Sequence, residues 1–153
     1  STVICTKPLY KWFNIELDFF AYSRPGEDRM IASWFLYSKK NNYIIEKYYE
    51  KVIDYWKNNS CIKEYFWLHY LFEKIYNNDN NFKLLWDKTK KIYSNNPLKL
   101  CWSDLKSTNL DKENLDDIYN HTTELFKLDW RVNINIPNSY INTIYKYYST
   151  LLE

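Results

Sequence analysis

A chain of 153 residues with 21 Lys and Arg against 19 Asp and Glu carries a net charge of +2, too little to hold nucleic acid or an anionic membrane by its overall field. At 46% hydrophobic and 20% aromatic it is no disordered chain, and its length fits one domain with a true core. Its single glycine, Gly26, excludes any glycine-rich loop that cradles phosphate, and its two histidines are too few for a histidine-rich metal site.

Taken in order, residues 2–6 form a short β-branched run that reads as a buried strand entering the loop at Lys7-Pro8. Residues 9–13 fit one helical turn. Residues 17–22 are a second strand, Ser23-Arg24-Pro25-Gly26-Glu27-Asp28 a turn, and residues 30–37 a third strand. Arg24, Asp28 and Arg29 flank that turn, where surface ion pairing accounts for them. Apolar residues then recur every three or four positions, from Ile44 and Ile45 to Tyr55 and Trp56, and predict a helix over 43–57.

A central helix is expected over 61–76, opened by Glu64 and with Tyr65, Leu68, His69 and Phe72 on one face. A further helix follows over 82–92. Residues 98–105 read as a short strand or helical turn, 104–111 as loop and 112–126 as a weaker helix. Leu128, Trp130, Val132, Ile134 and Ile136 alternate and predict a half-buried strand over 128–136. Pro137-Asn138-Ser139 caps a last helix over 140–152. The sum is an α-rich α/β chain with few strands followed by packed helices.

Cys5, Cys61 and Cys101 lack Cys-x-x-Cys spacing, which argues for reduced thiols rather than disulfides or zinc. No stretch reaches the roughly 18 to 20 apolar residues of a membrane span. There is no His-Glu-x-x-His, no Gly-x-Ser-x-Gly and no Cys–His pair at a recognisable spacing. The basic clusters at Lys39-Lys40 and at residues 88–91 have acidic residues interspersed around them and read as solvated faces. From residues alone, Trp56, Trp67 and Trp86 are core by periodicity, Ser33 satisfies a neighbouring backbone group, and the chemistry stays unassigned.

The order of several segments carries a resemblance. Thr2-Val3-Ile4-Cys5-Thr6-Lys7-Pro8-Leu9, Phe19-Phe20-Ala21-Tyr22 and Ile31-Ala32-Ser33-Trp34-Phe35-Leu36-Tyr37-Ser38 come first, followed by Tyr55-Trp56, Ile62-Lys63-Glu64-Tyr65-Phe66-Trp67-Leu68-His69-Tyr70-Leu71-Phe72 and Phe126-Lys127-Leu128. Together they resemble the capsular polysaccharide synthesis proteins, which are similar to retaining glycosyltransferases with Asp-x-Asp motifs. The resemblance implies the C-terminal, acceptor-side portion of a GT-A type fold for residues 1–153. The family's aspartate motif and uridine-binding half are then expected before Ser1, with no metal ligand within this chain, which alone is expected to be inactive.

It further implies a nucleotide-sugar donor, a glycan acceptor that is lipid-linked in many capsule systems, and a divalent cation, Mn²⁺ or Mg²⁺, to neutralise the diphosphate. No nucleic-acid partner is implied, and the location is cytoplasmic, with association at the inner membrane face left open. By resemblance, Glu64 takes the position of a catalytic carboxylate beside the donor sugar, where the family usually has Asp. Ser33, Trp34 and His69 line the substrate, with a buried structural histidine the favoured alternative for His69, and Lys127 faces the diphosphate. Phe126 departs from the histidine usual before Lys-Leu. The alternative is a helical interaction module or degenerate relative that holds a partner through exposed aromatics, and a third reading is a carbohydrate-binding module.

Overall fold

Short apolar runs give way to a 3.6-residue spacing beyond Ser38, and the fold changes there from strands to helices. The computed structural model describes residues 2–95, 97–98, 111–129, 131 and 135–150. In chain order the elements are β1 (Thr2–Cys5), a 3-10 turn at Leu9–Lys11, β2 (Phe19–Gly26), β3 (Arg29–Ser38), α1 (Tyr43–Asn58), α2 (Trp67–Asn78), α3 (Asn80–Lys88), β4 (Ile92–Tyr93), α4 (Lys112–Tyr119), β5 (Leu125–Leu128) and α5 (Tyr140–Thr150). The fold is mixed α/β, with small sheets and more helix than strand. Two compact units share it: unit 1 is Ser1–Phe13 with Asn95–Glu153, and unit 2 is Asn14–Ser94.

In unit 2, β2 and β3 form an antiparallel hairpin and β4 adds in parallel to β2, giving the order β3-β2-β4. One sheet face places Phe19, Ala21 and Ile31 against the helices, where they meet Ile44, Tyr48, Phe72, Ile75, Phe82 and Trp86 in one core. Asn42 caps α1, its side chain accepting from the amides of Ile44 and Ile45, and Asp79 caps α3 through the amide of Phe82. The hydroxyl of buried Tyr48 donates to the carbonyl of Leu68 at 2.8 Å and ties α1 to α2.

In unit 1, β1 pairs antiparallel with β5, from Thr2 opposite Leu128 to Cys5 opposite Leu125. Ile118, Phe126, Leu128, Tyr140, Ile141 and Ile144 form its core. The Asp117 carboxylate is buried but satisfied, accepting from Thr122 and from the amide and hydroxyl of Thr123.

Several boundaries differ from expectation. β2 runs through Pro25 and Gly26, so the hairpin turn is only Glu27-Asp28. Arg24 takes a positive φ of 50°, and the register shifts between Ser23 and Gly26; that irregularity accommodates a proline that cannot donate to a ladder. α2 begins six residues later than the sequence suggested. Glu64 therefore lies in the bend before it rather than at its head, and Tyr65 is 79% exposed. The buried residues of α2 are Phe72 and Ile75.

α3 ends at Lys88, and the residues expected to finish it become β4. The weaker helix stops at Tyr119, and the late strand is Leu125–Leu128 instead of 128–136; Arg131 and residues 135–139 are turns and bends. Long-range pairing with β1 selects that strand over the alternating run. Trp86 is core as expected, but Trp56 is 42% exposed and packs with Tyr55 and Trp67 in a surface cluster. The readings for residues 99–110 and 151–153 lie outside the described residues.

Candidate functional site

The hairpin register explains how Ser33 leaves the sheet pattern. Phe19, Phe20 and Ala21 pair with Ser38, Tyr37 and Leu36, and the next pair is Ser23 with Ile31. Between those pairs Tyr22 alone opposes residues 32–35. Extra residues in one strand bend it and redirect its side chains. Ser33 is thereby turned towards α2, and its Oγ lies 3.4 Å from His69 Nε2. Trp34, next in the bulge, stacks on Tyr22 with ring centroids 5.1 Å apart, and its indole Nε1 is buried without a hydrogen bond.

The first turn of α2 holds His69. Phe66 is the N-cap residue and offers no capping side chain, but its carbonyl accepts from the His69 amide at 2.9 Å, and the two rings meet edge to face at 5.4 Å. Over the other part of Phe66 lies the Arg29 guanidinium, 3.9 Å from the ring centroid. Gly26 makes this possible: a Cβ there would come within 2.0 Å of Arg29 Nη2. Arg29 Nε donates to Asp28 Oδ1 at 2.9 Å, and the Tyr70 hydroxyl donates to Asp28 Oδ2 at 3.3 Å. The hairpin tip is thus fastened to α2 through Asp28 and Arg29.

Burial, seconded by the Arg29 charge, moves His69 below the ordinary imidazole pKa; the Phe66 carbonyl and Asp28 oppose the shift. The Arg29 hydrogen bond is the main cause that holds Asp28 below the usual carboxylate range. Burial pushes the Tyr70 hydroxyl up, and the charges of Asp28 and Glu64 add to this. The His69 ring is therefore neutral at pH 7, with one N–H to give. With that proton on Nε2 it donates to Ser33 and leaves only a lone pair on Nδ1, which is buried and makes no hydrogen bond. With Nε2 turned to Ser33 and Nδ1 buried, it is the Ser33 hydroxyl that keeps a hydrogen to donate to a ligand.

Of the residues singled out from sequence, Ser33 and His69 are brought together, and Trp34 adjoins them along the bulge. Glu64 is exposed; its carbonyl accepts from the Trp67 amide at 3.1 Å, and its charge reaches Tyr70. Lys127 is on β5 in unit 1, where its Nζ donates to the Leu128 carbonyl. Phe126 beside it is wholly buried. Asp28, Arg29, Phe66 and Tyr70 were not read as site residues; the lone glycine three residues before Arg29 was the signal. Among the described residues no three His, Cys, Asp or Glu side chains converge to hold a metal ion, and the resemblance places the ligands of its divalent cation before Ser1.

A search of curated proteins gives no match, and a search of solved structures gives none either. The model of the family described as capsular polysaccharide synthesis protein matches residues 1–148, nearly the whole chain and both units. The chain belongs to the capsular polysaccharide synthesis protein family.

Proposed function

We propose that this chain supplies the acceptor-side part of a GT-A type glycosyltransferase that moves a sugar from a nucleotide-sugar donor to a growing capsular or cell-surface polysaccharide. The family assignment supports a role in capsule biosynthesis. The transferase reading rests on one observation above others: Ser33, placed against the donor sugar by resemblance, and His69, which matches the family's histidine in its helix, are 36 residues apart and approach to 3.4 Å. In this reading Ser33, positioned by His69, hydrogen-bonds a sugar hydroxyl, Trp34 shapes the wall behind it, and Glu64 brings a carboxylate towards the charge that develops at the anomeric carbon.

Saturation-transfer NMR with UDP- and GDP-sugars in Mg²⁺ tests this. Saturation is expected at sugar-ring protons and is lost in Ser33→Ala and His69→Ala, with circular dichroism verifying that both variants fold. Equal saturation in wild type and both variants, or none in the wild type, refutes the assignment. The sequence contains no Asp-x-Asp and no glycine-rich phosphate loop. No turnover of these donors with Mn²⁺ is therefore expected from residues 1–153, and turnover would overturn the acceptor-side division.

A further inference from the structure

A concavity on unit 2, lined by neither Ser33 nor His69, has no role assigned to it above. Its volume is about 440 Å³, within the range of small-molecule sites. The apolar part of its lining is Met30, Trp86 and Tyr93. Trp86 is buried, while Tyr93, on the short strand β4, is exposed.

Charge decides what class of ligand fits. Arg24, Arg29 and Lys91 face Glu27, Asp28, Glu73 and Asp87 in the lining, three cations against four carboxylates, so there is no positive field for a phosphate or a nucleotide. Several of these groups are already engaged. Asp28 pairs with Arg29, Asp87 accepts from the Tyr76 hydroxyl at 3.0 Å, and Lys91 lies 3.9 Å over the Trp86 ring and donates to the carbonyls of Trp86 and Thr89. Glu73 is different. It is half-buried, and among the described residues it makes no ion pair and no hydrogen bond, as is also true of Arg24. Arg29 spends only its Nε on Asp28, and its terminal nitrogens, held in place by Phe66, keep their donors.

The cleft therefore offers a half-buried acceptor, the fixed Arg29 guanidinium beside the exposed one of Arg24, and an exposed aromatic face, with almost no net charge. Vicinal hydroxyls that both donate and accept satisfy this set, and an anion does not. We propose that this cleft binds a neutral pyranose unit of a glycan, with Glu73 accepting from its hydroxyls, Arg24 and Arg29 donating to its oxygens and Tyr93 against the ring. As the place of the acceptor chain, this rests on the glycosyltransferase reading; as a sugar-binding cleft, it does not.

The test is a titration of the ¹⁵N-labelled chain with neutral oligosaccharides of glucose, galactose and N-acetylglucosamine, with inorganic phosphate as a separate arm. Saturable shifts are expected at the Trp86 indole N–H and the Tyr93 amide with at least one oligosaccharide and none with phosphate. Glu73→Gln and Tyr93→Ala are each expected to weaken binding about tenfold or more, a loss of about 1.4 kcal/mol, while the remaining amide spectrum stays unchanged. Silence with all three oligosaccharides, shifts with phosphate, or undiminished affinity in both folded variants overturns the proposal. Because the readout needs no nucleotide sugar, cleft shifts that persist when sugar-nucleotide saturation at Ser33 and His69 fails leave this inference standing and remove only the donor reading; the reverse outcome removes only this inference.

Discussion

Replacing Gly26 by alanine has an effect whose sign is set by one other residue. Gly26 has no positive φ, so the backbone itself accepts alanine. Taken alone, Gly→Ala at such a position stabilises a protein by about 0.4–1 kcal/mol through the unfolded chain. Here the new Cβ meets Arg29 Nη2 at 2.0 Å and Cζ at 2.8 Å, so the guanidinium must leave the Phe66 ring. Loss of that stacking costs about 0.5–2 kcal/mol at a partly desolvated site. The pair with largely exposed Asp28 adds only about 0–1 kcal/mol. The balance is a net destabilisation of roughly 1 kcal/mol. In an Arg29→Ala background the obstacle is gone, and Gly26→Ala is expected to stabilise by about 0.4–1 kcal/mol. Urea unfolding of wild type, both single variants and the double variant measures the coupling, expected at about 1–2 kcal/mol. Gly26→Ala effects of the same sign and size in both backgrounds would falsify the clamp.

Four further outcomes follow from individual residues. His69 is held below its ordinary value of 6.5, so the unfolded state binds the extra proton first; stability is complete above pH 6.5, declines as pH falls from there towards the depressed folded value, and becomes nearly flat in that window in His69→Gln, as thermal melts across pH would read. Phe126→Ala, at a wholly buried position, is expected to cost about 3–5 kcal/mol, and Phe126→His also destabilises because it buries an imidazole in the unit 1 core; calorimetry decides both. The Arg131 guanidinium holds the Asp129 carboxyl at about 2, and ¹³C-detected titration of Arg131→Gln should find it moved back towards 3.8. Ser33→Ala removes a 3.4 Å contact and is expected to alter stability by under about 1 kcal/mol, so a larger loss in denaturant melts would contradict the long, weak geometry.

Where the sequence was legible, local physics and tertiary structure agree. α1 announces itself by apolar spacing and by Asn42, and its range is met within a residue. α2 was misplaced at its start because a run of aromatics carries periodicity but no cap, and Phe66 indeed caps nothing with its side chain. Pro25-Gly26 reads as a turn by composition, yet β2 continues through it because the bulge at Arg24 absorbs the misfit. The late strand could not be found from alternation, since its partner Thr2–Cys5 is more than a hundred residues away. At the site, resemblance named Ser33 and His69, but their approach depends on a register slip that no local pattern encodes. Arg29 looked like a surface charge because its partner ring lies on another element.

The pairing of β1 with β5 bears on the order in which the chain acquires structure. Unit 2 is one uninterrupted segment, whereas unit 1 joins Ser1–Phe13 to residues beyond Asn95. During synthesis, which proceeds from the N-terminus, all of Asn14–Ser94 is made before the first partner of Cys5 at Leu125 exists. The β1 segment must wait, and closing that long loop is easier once the intervening residues have already contracted into a folded body. Pulse-labelled hydrogen exchange on the refolding chain should accordingly protect the amides of β2, β3 and α1 before those of β1, and simultaneous protection would show that the interrupted unit does not lag.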